Sequence, residues 1–420
     1  MVRQNAASMR NKLRHTSALA FGSAVSGLLA YVFFALVTRA LGSTAAAPVA
    51  VLWTYWSFAG AALTFPLQHW IARSVSAHGG ERSVREALPG VARLSLVLAL
   101  LTTAISWVAR DQLFHQGQTW FPLLVGAVTL GAAVIGMVRG VLTGRRRFAA
   151  VGAGLVAENG VRCLSALALW LAGVDNPVAY GLCLLAGYAA AAVWPSTFRL
   201  ARTGTGGDGE SPLAFLGGTG GAQVIGQAVL TGGPVVLVLA GGTATEVTAL
   251  FAGLALFRAP YTLALGLVAQ LTGWLTRLVV AERDEELRRV RRGIVVLTVV
   301  GSAGAAVVGA LAGPWLLKLV FGSDVTLPAS LTLLLAVAST VAMANLVVTL
   351  LVIAHGRALA LARWWAVALV PGVVFFVLAQ VPVLDRTCWA FLLVEVAAFG
   401  LLLREGSRPV ARTATAPATS

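Results

Sequence analysis

GRRRFAAVGAGLVAENGVRCL (residues 144–164) opens with three arginines and runs into an apolar segment that still carries Glu158, Asn159 and Arg162. In a soluble helix such a mixture would be ordinary. Here the surrounding chain is not soluble in character: 58% of its 420 residues are hydrophobic, 11% are charged and the mean hydropathy is +0.84. A soluble domain has about 25% charged residues. The composition therefore predicts an all-α, polytopic membrane protein, with room for roughly a dozen spans of about 20 residues each.

Working outward from this stretch, apolar runs place spans at residues 17–38, 49–72, 92–109, 121–143, 148–172 and 178–198. A second set follows at 213–240, 245–275, 293–312, 328–353, 364–381 and 387–403. Barrel strands are excluded because the runs are too long and too uniformly apolar. Arginine placement supports the count of twelve. Arg145, Arg146 and Arg147 belong to an alternating series of basic segments: the N-terminus and the loops after spans 2, 4, 6, 8 and 10, then the tail. The opposite loops hold only Arg39, Arg110, Lys318 and Arg386. By the positive-inside rule both termini are expected in the cytoplasm.

The formal charge of +15 would suggest a polyanionic partner in a soluble protein. In this chain it follows from the basic cytoplasmic loops, and no nucleic-acid partner is expected. MVRQNAASMRNKLRH resembles a signal-peptide leader, but the following run lacks a small-residue cleavage site and reads as an uncleaved first span. The polar, glycine-rich RLARTGTGGDGESP divides the spans into two sets of six. The expected organisation is a cytoplasmic N-terminus (1–16), a first six-helix bundle (17–198), a linker (199–212), a second six-helix bundle (213–403) and a cytoplasmic tail (404–420). A faint internal repeat at an offset of 194 residues aligns SALAF with SPLAF and Pro66 with Pro260.

Charges at membrane depth are costly and so point to function. Glu158 lies about 16 Å beyond Arg147 along a helix, near the midplane, and Arg162 follows one turn later on the same face. Two readings are open: a neutralised pair that fastens span 5 to its neighbours, or a cavity site where Arg162, restrained by Glu158 beside Asn159, meets an anion. Arg258 sits two residues before Pro260, which predicts a helix break with a charge beside it. Arg39 and Arg139 lie near span ends, where snorkelling to the interface competes with a cavity role. Glu395 is the other carboxylate deep inside a span, with no partner evident. In span 7 the glycine pairs and Gly232-Gly233-Pro234 allow either close packing or, with Pro260, bending during gating; Gln223 and Gln227 share a face.

Nothing else carries chemistry. Cys163, Cys183 and Cys388 are isolated apolar-segment cysteines, the five histidines form no metal-binding pair, and no phosphate-cradling glycine-lysine motif is present. No enzyme activity, cofactor or metal is expected.

Several stretches resemble polysaccharide exporters of the multidrug/oligosaccharidyl-lipid/polysaccharide (MOP) flippase superfamily. FFALVTRALGS is similar to their Arg-x-Leu-Gly signature after helix 1. GVLTGRRRFAAVGAGLVAENGVRC is similar to their basic turn and fifth helix. LFRAPYTLALGLVAQLTGWLTRLVVAERDEELRRVRRG resembles helix 8 and its loop, and PWLLKLVFGSD the loop after helix 9. The chain departs from the pattern at STAAAP after the signature and at TGWLTR, where proline usually ends helix 8. The resemblance implies two six-helix bundles around a V-shaped cavity, alternating access, bending of helices 1 and 7, and a polyprenyl-diphosphate-linked oligosaccharide as substrate. It also implies a place beside glycosyltransferases or a polysaccharide polymerase. The alternatives are a cation-coupled multidrug antiporter of the same superfamily, or a non-transporting envelope-assembly protein.

Overall fold

The computed structural model describes residues 2–115, 119–204, 225–265, 268–355 and 357–407. Among these residues all regular structure is helical, as it must be where lipid offers no partner for a backbone N–H or C=O. The first half contains α1 (Val2–Ala45), α2 (Ala47–Ala59), α3 (Phe65–Ala77), α4 (Arg82–Val108), α5 (Arg110–Phe114), α6 (Trp120–Gly144), α7 (Phe148–Leu171) and α8 (Pro177–Ala186). In the second half are α9 (residues 225–231), α10 (Gly233–Leu239), α11 (Ala244–Phe257), α12 (Ala259–Leu265) and α13 (Val268–Val280). They are followed by α14 (Asp284–Leu311), α15 (Gly313–Phe321), α16 (Ala329–Ala354), α17 (Ala358–Leu378) and α18 (Val383–Glu405).

Each of the twelve predicted spans contains helix, but not all are simple. Among the described residues seven helices are long and apolar enough to cross a membrane unaided: those of spans 1, 3, 4 and 9 to 12. The other five are the charged helix of span 5 and four interrupted spans, each interruption with a local cause. In span 2 Pro66 has no N–H for the carbonyl four residues back, and the ladder adjusts through a π-turn at Gly60–Thr64. In span 6 α8 tightens into 3-10 turns at Gly187–Val193 and Pro195–Phe198. Span 7 breaks at Gly232, and span 8 breaks at Arg258 before Pro260. The two prolines aligned by the 194-residue offset thus both disturb their helices. Helix 1, expected to bend, is described as helical from Val2 with non-helical backbone angles at Gly42. The linker lies mostly outside the described residues.

In the first half α7 runs along α1, and α6 packs on α3 and α4; in the second, α16 packs on α14 and α18, and α18 on α17. Close approach of α1 and α7 depends on glycine: a Cβ on Gly22 would stand 2.8 Å from the Gly152 backbone. The outer walls of α4 (Leu96, Val97, Leu100, Leu101) and α14 (Val296, Leu297, Val299, Val300) expose bare apolar side chains, as a lipid-facing surface requires. The largest core cluster joins the halves instead. Phe34 meets Phe251 at 4.3 Å between ring centroids and Phe321 at 5.9 Å, while Trp53 lies 6.1 Å from Phe251. Each such aromatic pair contributes about 0.5–1.5 kcal/mol beyond area burial.

At the arginine-rich end the halves use the same device. Arg145, after α6, chelates Glu81 at 2.6 and 3.0 Å and donates to the carbonyls of Ser196 and Arg199. Arg357, after α16, donates to the carbonyl of Glu405 at 2.9 Å. In each half the loop between the fourth and fifth spans therefore sends an arginine to the end of the sixth. Arg145 is thus a clamp on the end of the sixth span.

Candidate substrate site

The deep charges fall into two clusters of different character. The first is built on α7, where helical spacing puts Glu158 and Arg162 on one face. Glu158, 1% exposed, accepts from Arg162 Nη2 and from Arg139 Nη2 of α6, both at 2.5 Å. Arg162 has no exposed surface. Its Nη1 donates to Asn159 Oδ1 and its Nε to the Leu184 carbonyl, both at 2.9 Å, and its guanidinium lies over the Trp56 ring at 4.5 Å. Gly187 admits span 6 to this contact, because a Cβ there would meet Arg162 Nε at 2.5 Å. Asn159 in turn donates to Ser26 of α1 at 2.7 Å. The knot therefore ties spans 1, 2, 4, 5 and 6 together.

This corrects one expectation and extends another. Glu158 and Arg162 do pair, but Arg162 does not face an open cavity in this conformation: each of its three nitrogens is already donating inside the first half. Arg139 does not snorkel to the interface; it is the second counter-ion of Glu158. The cleft it lines with Ile135, Leu142, Val151 and Trp194 has a volume of 10 Å³, room for about one water and not for a diphosphate.

The second cluster is centred on Arg258, which is 8% exposed and occupies the break between α11 and α12. Pro260 withholds the N–H that would have reached the Leu256 carbonyl, so the ladder is interrupted beside the charge. Arg258 Nε and Nη2 are buried with no hydrogen-bond partner among the described residues, and its guanidinium lies 5.2 Å from the Phe391 ring. One turn after Phe391, Glu395 is 1% exposed and accepts from Asn345 Nδ2 at 2.7 Å; no ion pair reaches it among the described residues. Asn345 Oδ1 is itself buried and unpartnered. One turn after Arg258, Thr262 hydrogen-bonds Tyr31 of α1 at 2.6 Å. Sequence reasoning missed Tyr31, Asn345 and Thr262; a lone amide in an otherwise apolar run was the available signal for Asn345.

Helix α1 touches both clusters. Adjacent residues of α1 touch opposite sides, Ser26 bonding Asn159 and Gly27 packing on Thr262, so α1 stands between Arg162 and Arg258. Of the expected gating residues, Gly232 lies at the span 7 break, with Gly233 and Pro234 opening α10. Gln227 bonds Thr231 of its own helix, and Gln223 lies outside the described residues. Arg39 is exposed at the arginine-poor end and donates to the carbonyls of Leu319 and Val320 in the other half.

Fold and charge placement together define an all-α polytopic membrane protein, whose first-half helices α1, α2 and α5 pack on α10, α11, α12 and α15 of the second half. No family model matches the sequence, and no curated protein matches it. Solved structures do. An inward-facing multidrug resistance MATE-family transporter of the MOP superfamily is similar at 17% identity and a TM-score of 0.60, over 93% of each chain. An outward-facing one matches equally well, at 16% identity and 0.60 over 93% of this chain and 94% of that one. A MOP-superfamily transporter from Pyrococcus furiosus, described as having a binding pocket of reverse polarity that suggests a different function, matches at 15% and 0.59 over 93% and 94%. The chain therefore has the fold of MOP-superfamily transporters.

Proposed function

We propose that the protein is an alternating-access flippase, moving a polyprenyl-diphosphate-linked oligosaccharide from the cytoplasmic to the outer leaflet of a bacterial plasma membrane. In this reading both termini and the 199–212 linker are cytoplasmic, and the six-helix sets 17–198 and 213–403 rock against each other. Glycosyltransferases or a polysaccharide polymerase supply and consume the glycan. The protein needs no cofactor and performs no catalysis.

One observation carries the reading. Arg258 holds two buried donors without partners at a helix break that faces α1. An unmade buried hydrogen bond costs about 1–3 kcal/mol, so a cation left in this state is poised for an anionic ligand. The buried charge within the spans points the same way, with three guanidiniums (Arg139, Arg162, Arg258) against two carboxylates (Glu158, Glu395). Within this fold the polarity of the pocket varies, as the Pyrococcus furiosus transporter shows for itself. A second reading, the cation-coupled multidrug antiporter, is favoured by Glu395, a buried carboxylate held by an amide and not by an arginine.

Proteoliposome assays separate the two. A fluorescent polyprenyl-diphosphate glycan should be flipped by the wild type, and Arg258→Ala should slow it roughly 10- to 150-fold, the range for lost charged hydrogen bonds. Arg258→Met should raise folded yield while slowing flipping to the same degree, because the unpartnered donors are gone. Uptake of a cationic dye with no flipping of the lipid would replace this reading with the antiporter.

A further inference from the structure

Two of the sequence stretches singled out above, RALGS (39–43) and FGSD (321–324), come from opposite halves and meet in the structure. At Gly42 α1 leaves the helix with φ 75° and ψ 173°, a conformation that suits glycine and turns the Ser43 N–H outward from the helix. Asp324 Oδ2 accepts that N–H at 2.5 Å. In return Arg39 donates to the carbonyls of Leu319 and Val320, in the last turn of α15, where helix carbonyls lack partners and the dipole favours a cation. Gly322, at φ 115°, completes the turn. A Cβ on Gly42 would lie 3.2 Å from Asp324 Oδ2, and one on Gly322 3.2 Å from Oδ1, so the carboxylate sits between two glycines.

Each half thus places a charged side chain on the other's backbone. The contact is flanked by Thr44 and Thr245, whose hydroxyls are 3.3 Å apart, and by His115 on the Gly242 carbonyl at 2.9 Å. The cross-half aromatic pairing of Phe34 with Phe251 and Phe321 belongs to the same seam of α1, α11 and α15. We propose that Arg39 and Asp324 form a two-way latch that holds the arginine-poor end shut, and that its release sets how often this end opens. The inference rests on the two halves alternating and not on the cargo they carry. It gives Arg39 a conformational role in place of the substrate contact expected from sequence.

The test uses the full chain in liposomes without substrate, in a background where Cys163, Cys183 and Cys388 are replaced. In the Thr44→Cys/Thr245→Cys pair, mild oxidation should form a disulfide quickly while the latch is intact. Arg39→Ala and Asp324→Ala should each slow cross-linking about three- to tenfold and speed maleimide labelling of the single Thr44→Cys variant by a similar factor. Asp324→Asn, which keeps an acceptor oxygen, should fall between, and Lys318→Ala, which removes an exposed charge from α15, should change neither rate. Unchanged rates in both alanine variants at wild-type folded yield would overturn the latch, as would an equal effect from Lys318→Ala. If lipid-linked glycan is not transported while these rates shift as expected, the cargo assignment fails and the latch stands.

Discussion

Removing Glu158 gives the sharpest test of how the first half is held together. The carboxylate receives two charge-assisted hydrogen bonds at 2.5 Å, from Arg139 and Arg162, with almost no exposure to solvent. At about 1.5–3 kcal/mol for each hydrogen bond to a charged group, the two together contribute roughly 3–6 kcal/mol. That agrees with the 3–5 kcal/mol or so lost when one member of a buried ion pair is deleted and its partner is left uncompensated. Glu158→Ala leaves two guanidiniums in that position. Its melting temperature, followed in detergent by fluorescence-detected size exclusion, should fall on the order of 10 °C, with Glu158→Gln falling about half as far. The triple variant Arg139→Met/Glu158→Leu/Arg162→Met should recover most of the loss, since apolar replacement of an entire buried ion cluster is often neutral. A drop under about 2 °C for Glu158→Ala would refute the reasoning, because it would mean that water or another counter-ion replaces the carboxylate at little cost.

Two further outcomes follow from the geometry. Burial alone would raise the Glu81 carboxyl, but hydrogen bonds from Arg145 and the Ala201 N–H, with the charge of Arg145, hold it below its usual range. A depressed folded value means that this stabilisation is complete above the unfolded value near 4.5 and is lost as pH falls through the lower folded one. Glu81→Gln should therefore lower thermal stability at pH 7, and the gap to wild type should close below about pH 4 in a pH-dependent melt. In span 7 the glycines should separate: a Cβ on Gly232 would lie 2.4 Å from the Ala228 carbonyl, whereas one on Gly233 would meet its nearest neighbour at 3.3 Å. Gly232→Ala should depress folded yield or transport, and Gly233→Ala should leave both within about twofold. Equal effects of the two would remove the break at Gly232 as the cause.

Local information made the frame legible. Apolar runs made the all-helical, membrane-spanning character legible, because each span satisfies its own backbone. Pro260 and Gly232 marked breaks that are present, since proline and glycine act on their own helix. The pairing of Glu158 with Arg162 was legible because it spans one turn. What lay between distant segments was not: Arg139 is 19 residues from Glu158, and nothing in the α6 sequence says which way its guanidinium turns. The same limit left Arg39 open, since its acceptors lie 280 and 281 residues away. It also hid the third hydrogen bond of Arg162, because the Leu184 carbonyl that accepts it belongs to backbone and leaves no mark in side-chain pattern.

The attachment points of α1 give it a mechanical character. Its lower part is fastened to the first half, where Ser26 takes the Asn159 amide, the Leu29 carbonyl meets Cys163 Sγ and Gly22 abuts Gly152. Its tip is held by the second half at Arg39 and Ser43. From Leu29 to Ser43 a helix rises about 21 Å, so a tilt of roughly 10° about the lower fastening carries the tip nearly 4 Å sideways. A hydrogen bond is lost over a much smaller displacement. Between these ends Gly27 and Tyr31 meet Thr262 and Phe34 meets Phe251, so helix 1 bridges the halves along its length, and the polar contacts at its far end are those with the longest arm from Ser26.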